Sequence, residues 1–277
     1  ESYLNGVEIL KGIRANHPDS NEAFIANYKI PEYLLKAALS YKSSKNWDQA
    51  IKVLEEITSD YSESEFSVRA SSLLFDIYIE KSMNLKDSYK YRESIEEFLK
   101  VLELKERNKD RYMFVYYSKR IFEGISLSLL ETVGGEMQSR REYEKALFVY
   151  DKILEFYPES KEKIIPHIVE CKVEIISASP HMDVVQPESS QRIYSPGKTR
   201  VVIKNETEYN LVIYFEGPEL KLVELKPKAG VEVELLSGTY KVAGELTGEN
   251  GENIDVLPFY GIIKYEENQR YREVYSI

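Results

Sequence analysis

One cysteine and three histidines in 277 residues leave this chain short of the side chains from which nucleophilic and metal-dependent sites are usually built. With Cys171 alone no intramolecular disulfide can form. Its apolar helical setting, HIVECKVEII, reads as a small buried hydrophobe and not as a nucleophile. His17, His167 and His181 stand in unrelated contexts, with no HExxH and no paired-cysteine spacing for zinc; His181 beside Asp183 reads as a solvated pair. No GxSxG elbow marks a serine for activation. The stretch YSPGKTR ends like a phosphate loop, in Gly197, Lys198 and Thr199, but the glycine required five residues earlier is Arg192, so it reads as a turn. No cofactor and no catalytic residue is expected.

Long hydrophobic runs are missing too. The richest segment, RYMFVYYSKRIFEGISLSLL, is broken by Lys119, Arg120 and Glu123, so no stretch of about 18 apolar residues spans a bilayer. A basic surface is also absent. Residues 1–182 carry 26 basic and 31 acidic side chains and residues 183–277 carry 11 and 16, so both parts repel a phosphate backbone and nucleic acid is not an expected partner. The sequence begins at Glu1 without a methionine, which leaves room upstream for a signal peptide or a lipid-attachment cysteine.

What is present is the balance of a core-forming chain, 43% hydrophobic and 30% charged. Its texture changes near residue 180. Before it, apolar residues recur with helical spacing; after it, short Val/Ile/Tyr runs alternate and are separated by Gly, Pro and Asn. Between them SASPHMDVVQPESSQRIYSPGK, with three prolines, reads as a linker or an extended first strand. Carboxylate groups such as Glu55/Glu56 and Glu93/Glu96/Glu97 read as solvated helix faces. In TGENGENIDV the Asn250–Gly251 step reads as a tight turn, without the spacing of an EF-hand.

Three helical segments share one pattern: GVEILKGIRANHPDS from Gly6, AIKVLEEITSDYSES from Ala50 and ALFVYDKILEFYPES from Ala146. In each, twelve residues separate the small residue from the Pro or Ser of a polar stop, and large apolar groups follow at offsets of four and seven: Leu10/Ile13, Leu54/Ile57 and Tyr150/Ile153. Those offsets share one helix face. With Leu34, Ala37, Ala38, Tyr41 and Trp47 before Ala50, and Leu130, Val133, Gly134 and Tyr143 before Ala146, the pattern resembles the tetratricopeptide repeat, a 34-residue helical hairpin. A further pair, RASSLLFDIYIEKS and YRESIEEFLKVLEL, has Ser94 in place of the alanine and an insertion, MNLKDSYK, between its helices. The first unit begins at its second helix, so NEAFIANYKI or a preceding segment is needed to cover its apolar face. KEKIIPHIVECKVEII reads as a closing helix. The endings HPDS, DYSES and YPES are similar to repeats of bacterial cell-envelope lipoproteins and their periplasmic relatives.

From residue 199 seven strands are predicted: TRVVIKN, NLVIYFEG, LKLVELK, GVEVELL, TYKVAGEL, YGIIKYE and YREVYSI. Val231, Val233 and Leu235 alternate with Glu232 and Glu234, the pattern of a strand with one wet face. The spacing predicts an antiparallel β-sandwich, immunoglobulin-like or transthyretin-like, and the segment resembles a small β-domain of bacterial envelope proteins. The predicted fold is therefore multidomain, α plus all-β: an α-solenoid of TPR-like hairpins over 1–179, a linker over 180–198 and a β-sandwich over 199–277.

Repeats of this kind stack into a groove lined by first helices. The resemblance puts Leu35, Leu39 and Lys42, then Arg69, Ser72 and Asp76, then Glu131, Gly135 and Gln138 on that groove. These are not carboxylate-clamp residues; Leu35 and Leu39 suggest an apolar anchor for a partner segment. The leading expectation is a non-catalytic scaffold for a protein or peptide partner, in the bacterial cell envelope or periplasm, with a cytoplasmic setting as the alternative. The competing reading is a carbohydrate- or cell-wall-binding protein that uses the sandwich, where Tyr260, Tyr265, Tyr271 and Tyr275 cluster.

Overall fold

A computed structural model describes residues 2–104, 111–249, 252 and 254–276. The chain divides into two compact units, Glu1–Ile125 and Ser126–Ile277. This division follows packing, whereas the 1–179, 180–198 and 199–277 scheme follows secondary-structure type. The Asn250–Gly251 turn lies outside the described residues.

The first unit contains helices α1 (Ser2–Asn16), α2 (Asn21–Ser43), α3 (Trp47–Asp60), α4 (Glu65–Asp87), α5 (Tyr91–Leu99) and α6 (Arg111–Phe122). The apolar face of α1 is covered by the segment that follows it. Ser20 caps α2 by accepting from the Ala23 N–H at 3.1 Å, and α2 then runs back along α1, burying Val7. A methyl group at Gly6 would lie 3.0 Å from the Tyr33 ring. Lys11 of α1 also pairs with Glu56 of α3 at 2.7 Å. Ala38 and Ala50 have no exposed surface; they are the small contacts at which α2 and α3 close.

At the crossing of α4 and α5 the small contact is a pair of serines. Ser82 Oγ donates to the Ser94 carbonyl at 2.6 Å and Ser94 Oγ to the Ser82 carbonyl at 2.9 Å, with both side chains fully buried. Each hydroxyl is satisfied by the other residue's backbone, so serine does the packing of alanine without stranding a polar group. The MNLKDSYK insertion is not a separate loop, because its first five residues extend α4 to Asp87.

One backbone device recurs in three of the turns between paired helices. Lys45, Tyr89 and Arg141 all adopt left-handed φ, at 57°, 59° and 62°, and each stands five residues before the small contact residue, Ala50, Ser94 or Ala146. The next residue's N–H reaches back to the carbonyl five positions earlier: Asn46 to Tyr41, Lys90 to Leu85 and Glu142 to Met137, each at 2.9 Å. This is a Schellman helix end built on a non-glycine residue.

The second unit contains α7 (Leu127–Ser139), α8 (Tyr143–Phe156), α9 (Lys161–Ala178) and nine strands among the described residues: β1 (Met182–Asp183), β2 (Glu188–Arg192), β3 (Lys198–Asn205), β4 (Asn210–Glu216), β5 (Leu220–Leu225), β6 (Gly230–Leu236), β7 (Gly238–Thr247), β8 (Phe259–Tyr265) and β9 (Gln269–Tyr275). The 180–198 segment thus contributes two short strands. Five strands form one sheet, β1-β8-β7-β4-β5, and four the other, β2-β9-β3-β6. The sheets are mixed, not antiparallel throughout: β3 pairs with β9, and β1 with β8, in parallel. Alternation along a strand fixes which face is dry but not which neighbour it takes, and this is where the antiparallel expectation needs correction.

Both sheets turn alternate residues into one core that holds Leu211, Ile213, Phe215, Tyr240, Val242, Val201, Ile203 and Leu235. Tyr265, Tyr271 and Tyr275 belong to it as well. Among them lies Glu273, with no exposed surface. It accepts hydrogen bonds from the Tyr265 hydroxyl and, at 3.0 Å, from the Tyr275 hydroxyl. Burial pushes its carboxyl up to about 7, against the opposing pull of the two tyrosine hydrogen bonds.

The two outer faces of this sandwich differ. On the five-stranded sheet, α9 lies over Tyr214 and Ala243 and buries Val169, Val173 and Ile176 against them. Lys172 pairs with Glu245 at 2.6 Å, and Tyr214 donates to the same carboxylate oxygen at 2.6 Å. Among the described residues no helix packs broadly on the four-stranded sheet: Glu232 pairs with Arg270 at 2.6 Å and with Arg200 at 3.7 Å, and Lys198 pairs with Glu234 at 2.5 Å.

Candidate functional site

The recurring turn sets a structural register for the first helices. Counting back from the left-handed residue, Leu35, Leu39 and Lys42 of α2 correspond to Ile79, Met83 and Lys86 of α4, and to Glu131, Gly135 and Gln138 of α7. Arg69, Ser72 and Asp76 lie earlier on α4, because the insertion read from sequence as a break is helical and shifts the count.

Within the first unit Leu35 is buried at 5% exposure while Leu39 is 44% exposed, so only Leu39 offers apolar surface. Lys42 reaches across to α4, 2.9 Å from Glu80 and 3.8 Å from Asp76. Desolvation raises the Asp76 carboxyl above its ordinary value, Lys42 opposes this, and Glu80 adds to it. Arg69 and Ser72 are exposed. A cleft of about 350 Å³ opens where Ile79, Met83, Trp47 and Tyr117 form apolar walls and Glu80 and Arg120 stand at the edge. Its walls are braced by Lys86, which donates to the carbonyls of Arg120 and, at 2.8 Å, Glu123 at the end of α6.

In the second unit a larger cleft, about 700 Å³, lies between α7, α9 and the end of β4, lined by Gly135, Gln138, His167, Glu170, Glu174 and Glu216 among others. Gln138 organises its wall. Its Nε2 donates to Glu170, which as a carboxylate can only accept. Its Oε1 therefore faces the Tyr150 hydroxyl at 2.8 Å and His167 Nδ1 at 3.1 Å. The Tyr150 ring stacks on His167 with centroids 5.2 Å apart. A methyl group at Gly134 would meet that ring at 2.7 Å, so glycine is what lets Tyr150 reach Gln138. Glu131 is engaged by Lys163 at 2.7 Å.

Sequence reasoning placed Glu131, Gly135 and Gln138 on this face but missed His167, Glu170, Glu174 and Glu216, which only the docking of α9 and β4 brings beside them. Cys171 is buried, and desolvation pushes its thiol up to about 12, which suits a packing role. His181 approaches the Ser179 carbonyl at 2.7 Å and the edge of Tyr260. Tyr265, Tyr271 and Tyr275 are core residues and Tyr260 packs beside α9, so these four make no exposed aromatic row. Among the described residues no group of three or more His, Cys, Asp or Glu could hold a metal ion, and no helix is long and apolar enough to cross a membrane.

Paired helices with a common turn, a common small contact and a common register define an α-helical repeat structure, here combined with a β-sandwich. Residues 32–64, which span the second half of α2, all of α3 and the turn after it, match the tetratricopeptide repeat family. A search of the curated proteins finds no match to the chain. The repeat match points, at a coarse level, to protein–protein interaction scaffolding, since repeats of this kind are typically non-catalytic interaction modules.

Proposed function

We propose that this protein is a non-catalytic adaptor that holds an extended segment of a protein partner along the first helices of its repeats. In the first unit the contact residues are Leu39 and Lys42 of α2, Asp76, Glu80 and Met83 of α4, and Tyr117 of α6, with Arg69 and Ser72 on the exposed side of α4. The observation that carries this reading is the cleft walled by Trp47, Ile79, Met83 and Tyr117, directly beside the repeat match at 32–64. It combines apolar walls with a charged edge, the composition of a peptide anchor. The cell-envelope setting is proposed with it, on the repeat endings HPDS, DYSES and YPES, and fractionation of the native source checks it.

The test is affinity capture followed by cross-linking, comparing wild type with Leu39→Asp/Met83→Asp. Both positions have exposed or half-exposed side chains, so the variant keeps its helical circular dichroism. Loss of a specific cross-linked partner is expected. Identical partners recovered in identical yield would remove the groove from the argument.

A further inference from the structure

Strand β1 begins a place at the edge of the five-stranded sheet that it does not fill. Its two residues pair in parallel with Phe259 and Tyr260 of β8, and the last bond of this ladder runs from the Val184 N–H to the Tyr260 carbonyl at 3.1 Å. Val184 packs so closely on Gly261 that a methyl group there would lie 2.4 Å from it. The chain then leaves through Val185, Gln186 and Pro187 for β2, in the other sheet. Residues 261–265 of β8 keep β7 on one side and, among the described residues, no strand on the other. Backbone groups alternate in direction along a strand, so the N–H and C=O of Ile262 and of Lys264 point the same way as the Tyr260 carbonyl, into the open position. Among the described residues nothing hydrogen-bonds to them there. Ile262 is 63% exposed, an aliphatic side chain on an unpaired edge.

The other sheet marks the same position independently. β2 extends beyond β9 and overhangs it, and all five residues of β2 are exposed. Ser189 and Arg192 lie on the core side of β2, opposite Tyr271 and Gln269 of β9, and Tyr271 is a core residue. Core-side residues of a sandwich strand stay exposed where no strand of the facing sheet lies beneath them. The far rim of the sandwich is closed instead: Lys221 of β5 donates to the Glu234 carbonyl at 2.7 Å, and the Leu236 N–H donates to Glu219 at 2.8 Å. From this geometry we infer that an extended segment of a partner protein adds to the open edge of β8 as a further strand, beneath β2. Its backbone supplies the acceptors and donors that Ile262 and Lys264 lack. Its core-side residues are apolar, and charge selects the outward ones. The Lys264 side chain is 71% exposed with Glu266 3.7 Å away, and Arg192 pairs with no carboxylate among the described residues, so the segment carries acidic side chains. A second copy of this chain does not fit, because its β8 would arrive with its own β9 stacked on it, in the space that β2 occupies. The contact is separate from the first-unit cleft and does not rest on it.

A fluorescein-labelled octapeptide of alternating valine and glutamate, titrated against the full chain and followed by anisotropy, tests it. Binding is expected, at least tenfold tighter than that of the same peptide with lysine in place of glutamate. Two further peptides carry N-methyl groups on every valine or on every glutamate. Only alternate N–H groups of a strand face one neighbour, so one of these two binds at least tenfold more weakly than the other. Hydrogen exchange at the Ile262 and Lys264 amides, fast in the free protein, slows at least tenfold on binding. Lys264→Glu weakens binding at least tenfold, and Ile262→Pro does the same by deleting an N–H that makes no bond in the free fold. Met83→Asp leaves the affinity unchanged, so failure of the first-unit groove and failure of this edge are told apart. A peptide that does not bind, or methylated peptides of equal affinity, overturns the assignment. Binding that leaves the Ile262 and Lys264 amides unprotected overturns it too, since attraction by charge alone would then explain the affinity.

Discussion

The two outer faces of the β-sandwich started from similar alternating strands and reached opposite ends. Strand β4 places Val212, Tyr214 and Glu216 outward, and β3 places Val202 and Lys204 outward. The first set is roofed by α9, so Tyr214 is buried at 4% exposure and its hydroxyl needs, and has, the Glu245 carboxylate. The second set lies on a wet face that is tied by ion pairs of its neighbours Lys198, Arg200 and Arg270. The difference teaches that a sheet's own pattern sets its inner face, while its outer face is decided by what the rest of the chain brings to it. Here that is a helix whose other side belongs to the α7–α8 hairpin.

The comparison can be broken most severely from the helix side. Val173→Asp puts an unpaired carboxylate between α9 and Ala243, and should lower stability by about 4 kcal/mol in urea titrations. The mirror substitution on the wet face, Val202→Asp, should cost below about 1 kcal/mol. Comparable losses for both would show that α9 is not a structural roof. The core between the two faces gives the next effect. Glu273 holds its proton more tightly folded, about 7, than unfolded, 4.5, so the folded state is favoured as pH falls and loses that support as pH rises through 7. This single group should shift stability by about 3 kcal/mol between acidic and mildly alkaline buffer, read as the difference between wild type and Glu273→Gln at each pH. A flat difference would mean that Glu273 does not titrate in this range. Smallest of all, Arg270→Ala removes an exposed pair with Glu232 and should change stability by no more than about 0.5 kcal/mol; a larger loss would mean that the wet face is bound together after all.

Much of the architecture was written locally. Each of the seven strands read from residue 199 onward falls within two residues of its observed bounds, because Val/Ile/Tyr alternation and the intervening Gly, Pro and Asn act over a few residues. The small contacts at Ala50 and Ala146 were legible for the same reason. The left-handed turns were not, since Lys45, Tyr89 and Arg141 carry none of the glycine signal that usually marks them. Ser94 looked like a poorer alanine until Ser82 appeared opposite it. The cleft of the second unit was half legible: α7 residues follow from the repeat register, but Glu216 lies 78 positions beyond Gln138, and only tertiary packing makes them neighbours. Parallel pairing of β3 with β9 was illegible in the same way, since strand periodicity is identical in both directions.

That parallel pairing bears on how the molecule comes into being. Strand β9 stands between β2 and β3 in its sheet, although it is the latest of the nine in sequence. On a ribosome, β3 and β6 can zip together as soon as residue 236 has emerged, but β2 has no neighbour until residues 269–275 follow. Translation therefore leaves a slot open in the sheet and fills it late, with the strand that carries the buried acid Glu273. A nascent chain paused before that point would display an unpaired edge, and chaperone capture during synthesis should concentrate in that interval.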